Sequence, residues 1–214
     1  MLITKLKNKE EILLLLEKKP FIIKCFGCKE VYFPEDEIEE LLKGNESKII
    51  GVARLDYLCR EEFSKLYLTR YSSQIKKSGA IIVFSCGVGV QVLAKLCIDK
   101  KVLAGCDTYS LDGFQGLSVQ NANCEQCGEC YLNYTGGICP LTACSKGLLN
   151  GPCGGAKNGK CEVSPEMDCG WELIYKRLKG LKIENVTKES KVLIRNYKRI
   201  LDELGYNKNN IKGE

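Results

Sequence analysis

The stretch AIIVFSCGVGVQVLAKLCIDKKVLAGCD, Ala80 to Asp107, decides the fold. A β-rich run, AIIVFSCG, leads into a helical pattern, GVQVLAKLCIDK, and then into a second short β-rich run, KVLAGCD. Working outward toward the N-terminus, the same alternation repeats. KNKEEILLLLEKK has the pattern of a helix, PFIIKC of a strand, PEDEIEELLKG of a helix starting at Pro34, and KIIGVARLDYLC of a strand. EEFSKLYLTRYSSQIKKSG follows as one long amphipathic helix. Four apolar strands separated by helices predict an α/β fold with a doubly wound parallel sheet and right-handed crossovers.

The cysteines of this half sit at particular places in that pattern. Cys25 and Cys28 follow FIIK, Cys59 follows IIGVARLDY and Cys86 follows AIIVFS, each at the carboxyl end of its strand. In a parallel sheet those ends open on one edge, where open α/β sheets bind ligands. The 30 and 26 residues separating Cys28, Cys59 and Cys86 each match one βα unit, so four thiols can converge on one metal site. A redox dithiol at Cys25 and Cys28 is the competing reading, weakened because KEVYFPEDE delays the helix that such motifs begin. Cys97, on the apolar face of GVQVLAKLC, and Cys106 read as core residues. CGVGVQV carries Gly87 and Gly89 but Val92 at the third glycine position, so it does not indicate a dinucleotide site.

Composition excludes several functions. The chain has 214 residues, 14 cysteines and no histidine. Every Ser-His or Cys-His dyad and every zinc finger that uses histidine is therefore absent. The formal charge of +5 comes from lysines interspersed with glutamates, the pattern of a solvated surface and not of nucleic-acid binding. No apolar run reaches the ~20 residues of a membrane span, and the N-terminus has no signal-peptide pattern. Cytoplasmic location follows as an expectation, with cysteines serving as ligands or redox groups and not as disulfides.

Residues 121–170 are rich in glycine and poor in large aliphatics, so the segment needs metal to supply folding free energy. Its eight cysteines are Cys124, Cys127, Cys130, Cys139, Cys144, Cys153, Cys161 and Cys169. CEQCGEC resembles the first three ligands of a bacterial ferredoxin, but Cys139-Pro140 follows eight residues later where that motif has three. Two clusters, two zinc sites, or one [4Fe-4S] cluster and one zinc all fit the count. Beyond the module, WELIYKRLKGLK and KESKVLIRNYKRILDELG read as helices, with Trp171, Ile174 and Leu178 on one packing face. The expected organisation is an α/β domain over 1–118, a cysteine-rich module over 119–170 and a helical tail over 171–214.

CEQCGECYLNYTGGICPLTACSKGLLNGPCGG, GKCEV and DCGWELIYKRL resemble the cysteine-rich C-terminal domain associated with methylenetetrahydrofolate reductases. CFGC, IIGVARLDYLC and IIVFSCGVGVQ are similar to the small iron-sulfur (MetV-type) subunit of the acetogen-type enzyme. The resemblance implies a non-catalytic accessory subunit with [4Fe-4S] clusters, two by count, zinc in some members, and no flavin of its own. Its partner would be the flavin-containing subunit that reduces 5,10-methylenetetrahydrofolate to 5-methyltetrahydrofolate in one-carbon metabolism, the Wood-Ljungdahl pathway of acetogens, with further electron-transfer subunits beside it. It implies Cys25, Cys28, Cys59 and Cys86 as one centre, and the eight cysteines from Cys124 to Cys169 as a second and a third. Two alternatives are a zinc-stabilised interaction module without redox activity and a CxxC thiol oxidoreductase.

Overall fold

The computed structural model describes residues 2–29, 31–109, 117–119, 122–183 and 192–194. The first part runs β1 (Leu2–Leu6), α1 (Lys9–Leu16), β2 (Phe21–Cys25), β3 (Val31–Tyr32), α2 (Glu35–Leu42) and β4 (Gly51–Leu55). It continues through α3 (Glu61–Arg70), α4 (Ser72–Lys77), β5 (Ile81–Phe84), α5 (Gly87–Leu96), β6 (Val102–Ala104) and β7 (Cys106–Tyr109). The cysteine-rich part holds β8 (Leu117–Val119), β9 (Ala122–Cys124), α6 (Pro140–Ala143), β10 (Lys160–Cys161), β11 (Ser164–Asp168) and α7 (Gly170–Gly180).

The predicted α/β class is what the chain adopts. Strands β4, β2, β5 and β6 form a parallel sheet in that order. Every residue of β2 and β5 is buried, because helices cover both faces. Phe21, Ile23, Leu55 and Val83 pack with Ile75 of α4 and Val90 and Leu93 of α5 on one face. Ile22, Ile82 and Phe84 pack with Ile12 and Leu16 of α1 and Ile38 of α2 on the other. Each such aliphatic or aromatic side chain contributes roughly 1.5–3 kcal/mol when fully buried. Lys24, the charged residue within β2, is neutralised by Glu39 of α2.

Local signals place the helix starts. Asn8 caps α1 by accepting the Glu10 N–H at 2.8 Å, and Glu10 and Glu11 complement the helix dipole. Pro34 stands immediately before α2, as its sequence pattern predicts.

Three expectations change. The long helix over 61–79 breaks at Tyr71 (φ −101°, ψ 14°), whose ring packs 5.4 Å from Phe21. The break lets Ile75 turn into the core. LITKL forms β1, which pairs antiparallel with β7 and parallel with β3 as a second sheet. The helix expected over KESKVLIRNYKRILDELG lies outside the described residues except for 192–194.

The cysteine-rich part is bolted to the α/β part by backbone-directed contacts. Asn133 accepts the Ala104 N–H at 2.6 Å and donates to the Ala104 carbonyl at 3.2 Å. Leu132 is buried within the same core as Val90 and Val102. Arg177 of α7 donates to the carbonyls of Cys97 (2.8 Å), Lys100 (3.0 Å) and Gly136 (3.0 Å). Trp171, Ile174 and Leu178 are buried together, as their spacing predicts. Among the described residues no helix is long and apolar enough to cross a membrane.

Gly137 sits at φ +88° with its missing Cβ directed at Ala94 of α5, which a methyl would meet at 2.2 Å. Gly137→Ala is therefore expected to lower the unfolding free energy by about 1–3 kcal/mol in a denaturant titration, through overpacking and a disfavoured backbone angle.

Candidate metal centres

The strand order creates the first site. Pairing β2 with both β4 and β5 makes a topological switch point between β2 and β5, and their carboxyl ends carry the cysteines. Cys25 ends β2, Cys59 follows β4 and Cys86 is the N-cap of α5. Cys28, Cys59 and Cys86 share an apolar cluster with Val31, Val88 and Val92. Cys25 lies within electrostatic reach of both Cys86 and Cys59.

Backbone amides lie close to these sulfurs. Those of Val88 and Gly89, in the first turn of α5, are near Cys86 without forming a cap hydrogen bond, and that of Leu58 is near Cys25. Such donors favour a thiolate and fix ligand orientation. In the metal-free chain burial dominates instead, pushing the Cys25 thiol up to about 12 and raising Cys86 and Cys59 above the ordinary thiol value.

The second site lies alongside. Cys124, Cys127, Cys130 and Cys139 line one cavity together with Gly87, Gln91 and Thr108. Strand β9 ends at Cys124, and α6 begins just after Cys139, its N-cap. Gln91 of α5 donates to the Asn123 carbonyl at 2.6 Å, and the Gly87 N–H donates to Thr108 Oγ1 at 3.1 Å, closing the cavity wall. Gln126 N–H reaches Cys124 Sγ at 3.4 Å, and the Leu132 N–H lies near Cys130. Loss of hydration pushes the Cys124 thiol up to about 12 and Cys130 well above the ordinary thiol value.

The two sites meet at Gly87. A Cβ there would stand 3.1 Å from Cys124 Sγ, while the preceding residue is Cys86 of the first site. Cys124 in turn lies within electrostatic reach of Cys86, Cys127 and Cys139.

Of the remaining four cysteines of the module, Cys144 and Cys169 meet at the other end of α6. Cys144 is its C-cap and Cys169 the N-cap of α7, and both belong to one cluster. Ser145 Oγ stands 3.6 Å from Cys161 Sγ, which also accepts from Val163 and Ser164 N–H. The Ser145 contact and these amides hold the Cys161 thiol below its ordinary value. Gly155 N–H lies 3.5 Å from Cys153 Sγ. Cys97 packs on the sheet core, and Cys106 is buried beside Phe84 and Leu103, within electrostatic reach of Cys86.

None of the fourteen cysteines forms a disulfide. Among the described residues no group of three or more Cys, Asp or Glu side chains could hold a metal ion in the arrangement described. The chemistry of the donor set nevertheless suits a metal: the second cavity gathers sulfur ligands from four cysteines, and thiolate sets select zinc, copper(I) or iron-sulfur centres.

With this geometry described, comparison with known proteins adds one finding. Residues 103–198 match the family model of the methylene-tetrahydrofolate reductase C terminal. No curated protein and no solved structure matches the chain. The matched segment starts within β6 and takes in β7, the whole cysteine-rich part and α7, and so all eight cysteines from Cys124 to Cys169. Cys25, Cys28, Cys59 and Cys86 precede it.

Sequence reasoning missed the side chains that wall the second cavity. Thr108 belongs to no motif and Gln91, although inside IIVFSCGVGVQ, has no role there; only the packing of β7 and α5 with the module brings them to the cavity.

The raised thiols give a pH dependence. Unfolded, Cys25 and Cys124 titrate near 9.0, whereas in the metal-free fold they hold their protons to about 12. The fold binds more protons in that window, so its stability is full below pH 9 and is lost as pH rises toward 12. Denaturation midpoints of the metal-free protein should fall over that range, and Cys25→Ala should make the fall shallower.

Proposed function

We propose that the chain is an iron-sulfur accessory subunit that relays electrons to or from a flavin-containing methylenetetrahydrofolate reductase subunit. The observation that carries this reading is the convergence of Cys124, Cys127, Cys130 and Cys139 on one cavity, next to the cysteines at the sheet switch point. The family match of residues 103–198 supports the reductase association. In this reading Cys25, Cys28, Cys59 and Cys86 hold one [4Fe-4S] cluster and Cys124, Cys127, Cys130 and Cys139 a second. Bound there, such clusters supply one-electron transfer with little rearrangement.

The chain's own residues would set the conditions for that transfer. The Gln126 amide donates to the Cys124 sulfur, the amides of Val88, Gly89, Leu58 and Leu132 lie near the others, and apolar Val31, Val88 and Val92 keep water from the first site. The close approach of Gly87 to Cys124 provides a short path between the two sets. In this reading folate reduction belongs to the flavin-containing partner. A flavin there exchanges single electrons and delivers a hydride, linking the two kinds of chemistry.

For Cys144, Cys153, Cys161 and Cys169 we propose structural zinc. The amide-to-sulfur contacts at Cys153 and Cys161 in turns around the β10–β11 hairpin are the observation that favours it. Closed sets of four cysteines are a common structural zinc site and stabilise small segments outright. A dithiol role for Cys25 and Cys28 is disfavoured, because catalytic dithiols need a lowered thiol pKa and burial drives Cys25 the other way.

Protein purified without oxygen should be brown, with iron and acid-labile sulfide in equal amounts and zinc besides. Cys59→Ala should remove one cluster's iron and leave the other, Cys139→Ala should remove the second, and Cys97→Ser should change neither. Absence of iron after anaerobic reconstitution would refute the relay.

A further inference from the structure

A buried ion pair adjoins the second site and is used by nothing described so far. Lys7, just after β1, has a side chain only 5% exposed and places Nζ 3.0 Å from Asp107 Oδ1 of β7, itself 10% exposed. Glu11 of α1 is its outer partner at 3.7 Å. The same Asp107 Oδ1 accepts the backbone N–H of Cys130 at 2.7 Å. One carboxylate oxygen thus receives both a buried ammonium and the amide of a cavity cysteine, and the field of Lys7 reaches the Cys130 sulfur.

A purely structural role explains this poorly. Desolvating an ion pair costs several kcal/mol per ion, and apolar replacements are often neutral or stabilising. Strand β1 already has its full antiparallel ladder to β7, from Ile3 opposite Tyr109 to Leu6 opposite Cys106. The Lys7 N–H also has the Gly105 carbonyl at 3.0 Å. Both charges act on the Cys130 sulfur, Lys7 favouring added negative charge there and Asp107 opposing it, while Asp107 also fixes the backbone of Cys130.

We propose that Lys7 and Asp107 are positioning residues for the second centre, Asp107 orienting Cys130 and Lys7 stabilising the reduced state of the group that Cys130 holds. The inference rests on the reading of Cys124, Cys127, Cys130 and Cys139 as cluster ligands. Reduction adds one negative charge to the centre, and a fixed cation nearby lowers the free energy of that state.

The experiment is a potentiometric titration of the full chain loaded with iron and sulfide, in a Cys59→Ala background that silences the first cluster. Lys7→Gln keeps a donor toward Asp107 but removes the charge, and should shift the midpoint to more negative potential. Lys7→Arg keeps the charge and should stay near the unsubstituted value. Loss of iron from Lys7→Gln with retention in Lys7→Arg expresses the same need for charge and supports the assignment. Equal midpoints in Lys7→Gln and its parent, or equal iron loss from both variants, would overturn it. If the unsubstituted chain takes up no iron, the cluster reading fails first and this inference falls with it.

Discussion

Strand β2 pairs with β4 on one side and β5 on the other, and the rest of the architecture follows from that placement. A central strand hydrogen-bonded on both sides and covered on both faces favours apolar residues such as Phe21, Ile22 and Ile23, and its one charge, Lys24, is paired with Glu39. Its carboxyl end then becomes the point where the winding direction changes, and the loops leaving β2, β4 and β5 diverge around one crevice. Cys25, Cys59 and Cys86 come together there despite wide separation in the chain. Helix α5 starts from the same crevice, so its first amides face Cys86.

From α5 the dependence passes to the cysteine-rich part. That segment has few aliphatics of its own, and its order is borrowed from the sheet through Leu132, Asn133 and Gly137 and from α7 through Arg177. The four-residue helix α6 then acts as a spacer, with Cys139 at its start facing the α5 side and Cys144 at its end joining the α7 cluster. Four of the eight cysteines are gathered in this way on the cavity, and Cys144 and Cys169 in the α7 cluster. Cys97 and Cys106 remain as core, where sulfur packs as a small apolar group.

Local patterns made much of this legible. Helices α1, α2 and α5 follow apolar periodicity, and the Asn8 cap and Pro34 mark two of their starts. Strand β1 escaped because LITKL is short, carries Thr4 and Lys5 among its five residues, and pairs only with distant β7 and β3. The break at Tyr71 escaped because its cause is the ring of Phe21, fifty residues earlier in the chain. Lys7 and Asp107 carried no signal, since a single lysine after a strand and a single aspartate within one look like surface charges until the strands pair.

The sequence by itself determined the α/β class, the positions of Cys25, Cys59 and Cys86 at strand ends, and the presence of a cysteine-rich segment poor in large aliphatics. These depend on side-chain periodicity and composition, which are local. Only the tertiary structure decided that Cys139, of five candidates, joins Cys124, Cys127 and Cys130 on one cavity, and that this cavity abuts the first site at Gly87. The physical reason is that strand order and helix packing bring together residues that one-dimensional spacing leaves independent. Proximity across the fold, not spacing along it, sorted the cysteines.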